Sequence, residues 1–348
     1  MVDLRARRFQ TRGLRSSGSV NVSGVQNMLV GDIGGTHARF ATVDVAAPPP
    51  WRLENRQDFA IDFPSFEQAL QQYRQRAGLP QFPVSACIAV AGPITDGQVR
   101  LTNRHWLISE ETLQQFGCSS ALLINDFVAL AFAVETLQAK DMRPIGPALE
   151  GLPDEPVTIL GAGTGFGVSC LARYRGRIVP VATEGGHMGF APGDEQEVAV
   201  LQQLMRRFGR VSVERLLSGP GLENIYQALQ RVAGHEPAQP SAAQITELAQ
   251  KEDAGCRAAL TMFCAVYGAV AGDLALAHGA RGGVYIAGGI AQKIEPFLLA
   301  SPFRTRFESK GRLSSYVQPI PTILIASDDA ALLGAARAGV RLQAGPNA

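Results

Sequence analysis

Two segments of this chain, residues 29–44 and 159–174, follow one plan: an apolar strand, a turn of Gly and Thr, and a second strand. The turns read Asp32-Ile33-Gly34-Gly35-Thr36 and Gly161-Ala162-Gly163-Thr164-Gly165. A further apolar strand and helices follow each copy. Identity between the copies is low, so what repeats is the pattern. Two related halves facing each other across a cleft fit it.

Periodicity fills in the rest. Residues 28–30 and 39–44 read as strands joined by a turn over 31–37, and Pro48–Pro50 are expected to end this hairpin. Phe66, Ala69, Leu70 and Tyr73 recur at helical spacing behind Ser65, which predicts a helix over 65–76. Apolar runs at 86–91, 122–124, 157–160, 283–287 and 321–326 predict buried strands, with another at 168–174. Helices are expected over 127–137, 195–208, 222–232, 242–250, 253–280 and 330–338, with one more opening at Gly288-Gly289. Strands alternating with helices make an α/β protein.

The composition agrees with a folded chain. With 46% hydrophobic and 18% charged residues in 348, disorder, coiled coil and collagen are excluded. The net charge of +1 divides unevenly, because residues 1–27 hold five Arg against Asp3 and leave a body of −3. Neither value suggests a nucleic-acid footprint. Residues 1–27 lack an apolar signal core and are expected to be a disordered or non-native extension. The five cysteines are scattered with no Cys-x-x-Cys pair, which points to buried thiols in a cytoplasmic protein. Residues 258–272 form an uncharged, largely apolar stretch of fifteen residues bounded by Arg257 and Asp273, shorter than the roughly twenty residues of a membrane span, so a core helix is expected there.

Several groups suit phosphate and sugar chemistry. A Gly pair after a strand lets backbone N–H groups approach a phosphate, and Asp32 could hold magnesium through water. A plain hairpin turn reads equally well from that motif alone. The loop at 161–167 precedes a strand rather than a helix, unlike a dinucleotide-binding turn. Ala287-Gly288-Gly289 sits at a strand-to-helix junction, open either to an adenosine or to simple packing. Asn125-Asp126 follows a strand and precedes a helix. An Asp there can accept a hydroxyl proton during phosphoryl transfer, or simply cap the helix. Glu184-Gly185-Gly186-His187 offers a carboxylate and an imidazole on a flexible loop. Glu214 and Asn103 are further polar candidates. Neither Gly loop contains lysine, so phosphate charge falls to backbone N–H groups, helix ends and magnesium.

The ordered set LVGDIGGTHAR (29–39), AVAGPIT (89–95), LTNRHW (101–106), INDF (124–127), GAGTGFGV (161–168), EGGHMGFAP (184–192), VERLLSGPGLENIY (213–226) and GGVYIAGGI (282–290) resembles the proteobacterial-type glucokinases of the actin-like hexokinase superfamily. The resemblance runs from about residue 28 to 335. It implies two actin-like (ribonuclease H-like) domains around a central cleft: a small one of 28–136 plus 327–348, and a large one of 137–326. It implies Asp126 as the base toward the sugar 6-hydroxyl. Asn103, Asn125, Asp126, Glu184, His187 and Glu214 become sugar ligands. Gly31, Asp32, Ile33, Gly34, Gly35 and Thr36, with Gly163, Thr164 and Gly165, become the phosphate loops, and Gly288 and Gly289 complete the nucleotide site. ATP, Mg2+, glucose and a homodimer are implied as cofactor, substrate and partner; no nucleic acid or membrane is. His37 stands where the family commonly has Asn. The cysteine-rich zinc motif of the related repressor and sugar-kinase group is missing from this sequence, so no zinc is expected. Two rivals remain: a kinase for another hexose, and a non-enzymatic sugar- and ATP-binding regulator or assembly protein.

Overall fold

The computed structural model describes residues 27–343 apart from 36, 61, 102–105 and 175–176. The expected extension lies outside the described residues but for Asn27, and so do Thr36 and Asn103. The first half runs β1 (Asn27–Ile33), β2 (His37–Asp44), β3 (Leu53–Ala60), α1 (Phe66–Arg76), β4 (Ser85–Val90), the ribbon β5 (Gln98–Arg100) and β6 (Leu107–Ser109), α2 (Glu110–Gln115), β7 (Ser120–Asn125) and α3 (Asp126–Ala133). The second runs β8 (Met142–Pro144), β9 (Val157–Ala162), β10 (Phe166–Tyr174), β11 (Arg177–Thr183), α4 (Glu195–Phe208), α5 (Gly219–Val232), α6 (Ala242–Gln250) and α7 (Ala254–His278). It continues through β12 (Gly283–Ala287), α8 (Gly289–Lys293), α9 (Glu295–Ala300), α10 (Phe303–Glu308), α11 (Ser314–Val317), β13 (Thr322–Ile325) and α12 (Ala330–Gln343).

The repeated pattern is a repeated topology. One sheet is ordered β3-β2-β1-β4-β7 and the other β11-β10-β9-β12-β13, with β8 added outside β13. In both, two antiparallel pairings are followed by two parallel ones. The hairpin expected to stop at Pro48–Pro50 instead continues into β3. That strand is an edge whose side chains are mostly exposed, so its ladder to β2 and not burial holds it.

Strand alternation sets the layers. Leu29 and Ile33 of β1 join Phe40, Phe66, Tyr73 and Ile88 in an outer core under α1. Met28 and Val30, on the other face, join Phe132 of α3, Leu332 of α12 and Ile159 and Tyr285 of the second sheet. Helix α3 reads DFVALAFA, apolar nearly all round, which suits an element enclosed on every side. Beyond the second sheet, α5, α7 and α10 enclose a third core with Phe263, Tyr267 and Phe303. Helix α7 is long and apolar enough to cross a membrane, yet most of it is buried inside the protein. All five cysteines are buried and free.

Helices α3 and α12 approach closely through Gly334. A Cβ placed there would lie 1.8 Å from the Ala129 carbonyl oxygen. The last helix thus leaves the second sheet and packs on α3 and the first sheet.

Candidate active site

Both Gly turns open on one cavity of about 500 Å³ between the sheets. Gly34 N–H donates to the His37 carbonyl at 2.9 Å and closes the first turn. Gly34 and Gly35 line the cavity. Gly163 N–H donates to the Gly165 carbonyl at 2.8 Å in the second turn, and Gly163, Thr164 and Gly165 line it too. Gly288 has φ +88°, and a Cβ on it would meet the Ala162 carbonyl oxygen at 2.5 Å. Only glycine satisfies both constraints, and it brings Gly288 and Gly289 to the cavity wall.

Gly31 and Ile33 do not line the cavity. Alternation turns them to the outer face, where Ile33 is fully buried and Gly31 packs against Ile88 and Phe40. Asp32 faces the other way and lines the cavity. Its carboxyl is pushed above the usual carboxylate range by desolvation, against the opposing Arg39 guanidinium and with a small push from Asp58.

At the start of α3 two roles are divided. Asn125 caps the helix, its Oδ1 accepting from Phe127 N–H at 2.9 Å and Val128 N–H at 3.3 Å. The cap that Asp126 was open to is therefore taken by its neighbour. Asp126, half-buried, accepts from Phe127 N–H at 3.0 Å. Burial pushes its carboxyl up to about 7, helped by the Asp32 charge and opposed by the backbone N–H groups and the Asn125 side chain. A carboxylate so placed ionises near neutral pH, as a general base requires.

Glu184 lines the cavity, whereas His187 and Glu214 do not. The loop expected to be flexible is one turn of 3-10 helix, Gly185–His187, with His187 N–H donating to the Glu184 carbonyl at 2.9 Å. Glu214 Oε2 accepts from Phe166 N–H at 2.9 Å, just past the second Gly turn.

Sequence reasoning missed Arg39, Gln292, Ser327 and Asp328, all of which line the cavity. Arg39 is the one arginine or lysine among the described lining residues. It pairs across the hairpin with Asp32, its Nη1 3.3 Å from Asp32 Oδ2. The hairpin register could have placed it. Ser327 and Asp328 lie just past the end of β13, much as Asn125 and Asp126 lie at the end of β7, so the internal repeat carried a signal for them.

Comparison with known proteins adds to this geometry. A family model described as Glucokinase matches residues 29–341. A glucokinase of Caulobacter sp. (strain K31) is 48% identical over 309 residues, spanning 88% of this chain and 93% of that protein. The crystal structure of a glucokinase from an Antarctic psychrotroph superposes with TM-score 0.82 at 38% identity, covering 90% of this chain and 98% of that one. A ROK family glucokinase from Streptomyces griseus, solved with glucose and AMPPNP, shares the fold at TM-score 0.59 and 19% identity, covering 89% and 98%. Two like-ordered sheets, a cavity between their glycine turns and a match along nearly the whole described chain lead to one assignment: the chain belongs to the glucokinase family.

Proposed function

We propose that this sugar kinase transfers the γ-phosphoryl group of ATP to the 6-hydroxyl of D-glucose, giving glucose 6-phosphate and ADP. The observation that carries the reading is Asp126. Its carboxyl is raised to about 7 and stands at the head of α3 in the cavity that both Gly turns share. Asp126 takes the proton of the hydroxyl as it attacks. The turns at 34–35 and 163–165 hold the polyphosphate by backbone N–H groups, and the third, at Gly288-Gly289, lies against the nucleoside. Asn125 and Glu184 orient sugar hydroxyls, with His187, Glu214 and Asn103 completing that set by resemblance. The chain's passages between its halves, at 134–141 and 326–329, support two domains of 28–136 plus 327–348 and 137–326. Their closure over sugar would exclude water and limit ATP hydrolysis.

Two carboxyls with raised pKa in one cavity, Asp32 and Asp126, form a donor set of hard oxygens that fits a divalent cation. Among the described residues no three metal-ligating side chains cluster. Asp32 would therefore hold Mg2+ through water, together with substrate phosphates. When bound, the ion neutralises phosphate charge. The resemblance supports a cytoplasmic homodimer acting at the first step of glycolysis.

A coupled assay of ADP formation tests the reading. Formation should depend on added glucose, and nucleotide turnover indifferent to sugar would overturn it. A panel with mannose and N-acetylated hexoses separates the rival substrates. Glu184→Ala is expected to raise the glucose KM by roughly 10–100-fold, as loss of a charged hydrogen-bonding group does. An unchanged KM would remove Glu184 from the sugar site.

The pH profile has a definite sign. Asp126 acts only as carboxylate, so kcat/KM should fall about tenfold per unit below an apparent pKa near 7. A flat profile from pH 8 to 5 would contradict its role as base.

A further inference from the structure

The segment from Arg210 to Gly219 grips two functional turns at once. Toward the 184–187 turn, Val213 N–H donates to the Met188 carbonyl at 2.9 Å and the Arg210 guanidinium to the His187 carbonyl at 2.7 Å. Phe190 N–H donates to the Val211 carbonyl at 3.1 Å. Toward the second Gly turn, Gly219 N–H donates to the Gly163 carbonyl at 2.9 Å, and Phe166 N–H to Glu214 Oε2 at 2.9 Å. The 163–165 turn is thus held at both ends. One of those holds is a carboxylate on a backbone N–H, a charge-assisted bond stronger than a neutral one.

We infer that Glu214 is a positioning residue for the nucleotide turn. Its carboxylate orients the Gly165–Phe166 peptide, so that the turn at 163–165 is set for phosphate before sugar arrives. The inference rests on the kinase reading above and goes beyond it, because a residue that served only sugar would not affect nucleotide binding without sugar. Holding a loop in its binding conformation removes the ordering cost from the binding step. Glycine at 165 fits the same contact. A Cβ there would lie 2.6 Å from Glu214 Oε2, while the Gly165 φ lies outside the left-handed region and suits alanine. Space for the carboxylate, not backbone freedom, demands glycine.

The experiment is calorimetric titration of a non-hydrolysable ATP analogue with Mg2+ into the full chain, without sugar. Glu214→Ala is expected to weaken binding about tenfold. Glu214→Gln keeps an acceptor oxygen for Phe166 N–H and should stay within about threefold of the parent protein. Gly165→Ala pushes the carboxylate off its donor and should match Glu214→Ala. The double variant should add no further loss, because the two act on one contact. Thermal unfolding of each variant checks that the fold persists. Unchanged analogue affinity in folded Glu214→Ala overturns the inference, as does full additivity in the double variant. A parent protein that binds no analogue at all instead removes the kinase reading, and this inference with it.

Discussion

Asp126→Asn is expected to lower kcat by about 10²–10⁴-fold, the usual loss when a general base is removed. The exchange is nearly isosteric, and the Asn125 cap on α3 does not depend on it. Glucose and nucleotide should still bind, more weakly for the sugar. Single-turnover phosphoryl transfer would measure the loss, and near-parental kcat would end the assignment. Stability should move the other way. In the folded protein the carboxyl is raised from 3.8 to about 7. The acid form therefore contributes stability that is fully present below pH 3.8 and is lost as pH rises through about 7. At pH 8 the buried carboxylate costs up to about 4 kcal/mol relative to a neutral group, at 1.36 kcal/mol per pKa unit. Asp126→Asn should accordingly melt higher than the parent at pH 8, with the difference closing toward pH 4. The site holds a strained charge that folding alone would not choose.

Gly334→Val is expected to destabilise the protein by about 3 kcal/mol or more. At Gly334 the obstacles to a side chain are backbone atoms: the Ala129 carbonyl oxygen at 1.8 Å, its carbon at 2.7 Å and Ala133 N at 3.0 Å. No rotamer change relieves such a clash, so α12 must lift off α3. Asp126 heads α3, so the displacement reaches the proposed base as well. Denaturant unfolding would show the midpoint drop, and the fraction still folded should have lower kcat. A parental midpoint would mean that the two helices are not held at this distance.

How far the sequence could be read follows from what holds each element. Elements fixed by their own apolar pattern were legible: α4, α6 and β12 have the expected bounds, and α7 is the expected core helix to within two residues. Two edge strands, β3 and β11, were not. β3 is mostly exposed, and β11 contains Pro180, which an edge tolerates but a pattern search discards. Both are held by main-chain pairing to a neighbour, which leaves no mark on side-chain periodicity. The same division runs through the site. Gly turns and Asn125-Asp126 announced themselves by residue type. Arg39 depended on register across a hairpin, and Ser327 and Asp328 on where the second half brings its last strand. Gly31 and Ile33 belonged to the motif as a string of letters, but strand alternation sent them to the opposite face from Asp32.

The path of α12 bears on how the chain matures as it is made. Leu332, Ala335 and Ala336 are fully buried in the layer between the sheets, beside Met28 and Val30 from the first strand. A nascent chain that has released everything up to β13 still lacks that wall. Its first sheet is left with an open apolar face until translation reaches the final helix. The protein should therefore acquire protease resistance in its N-terminal half only once α12 has been made and has docked, and ribosome-bound intermediates that lack it should depend on chaperones that cover apolar surface.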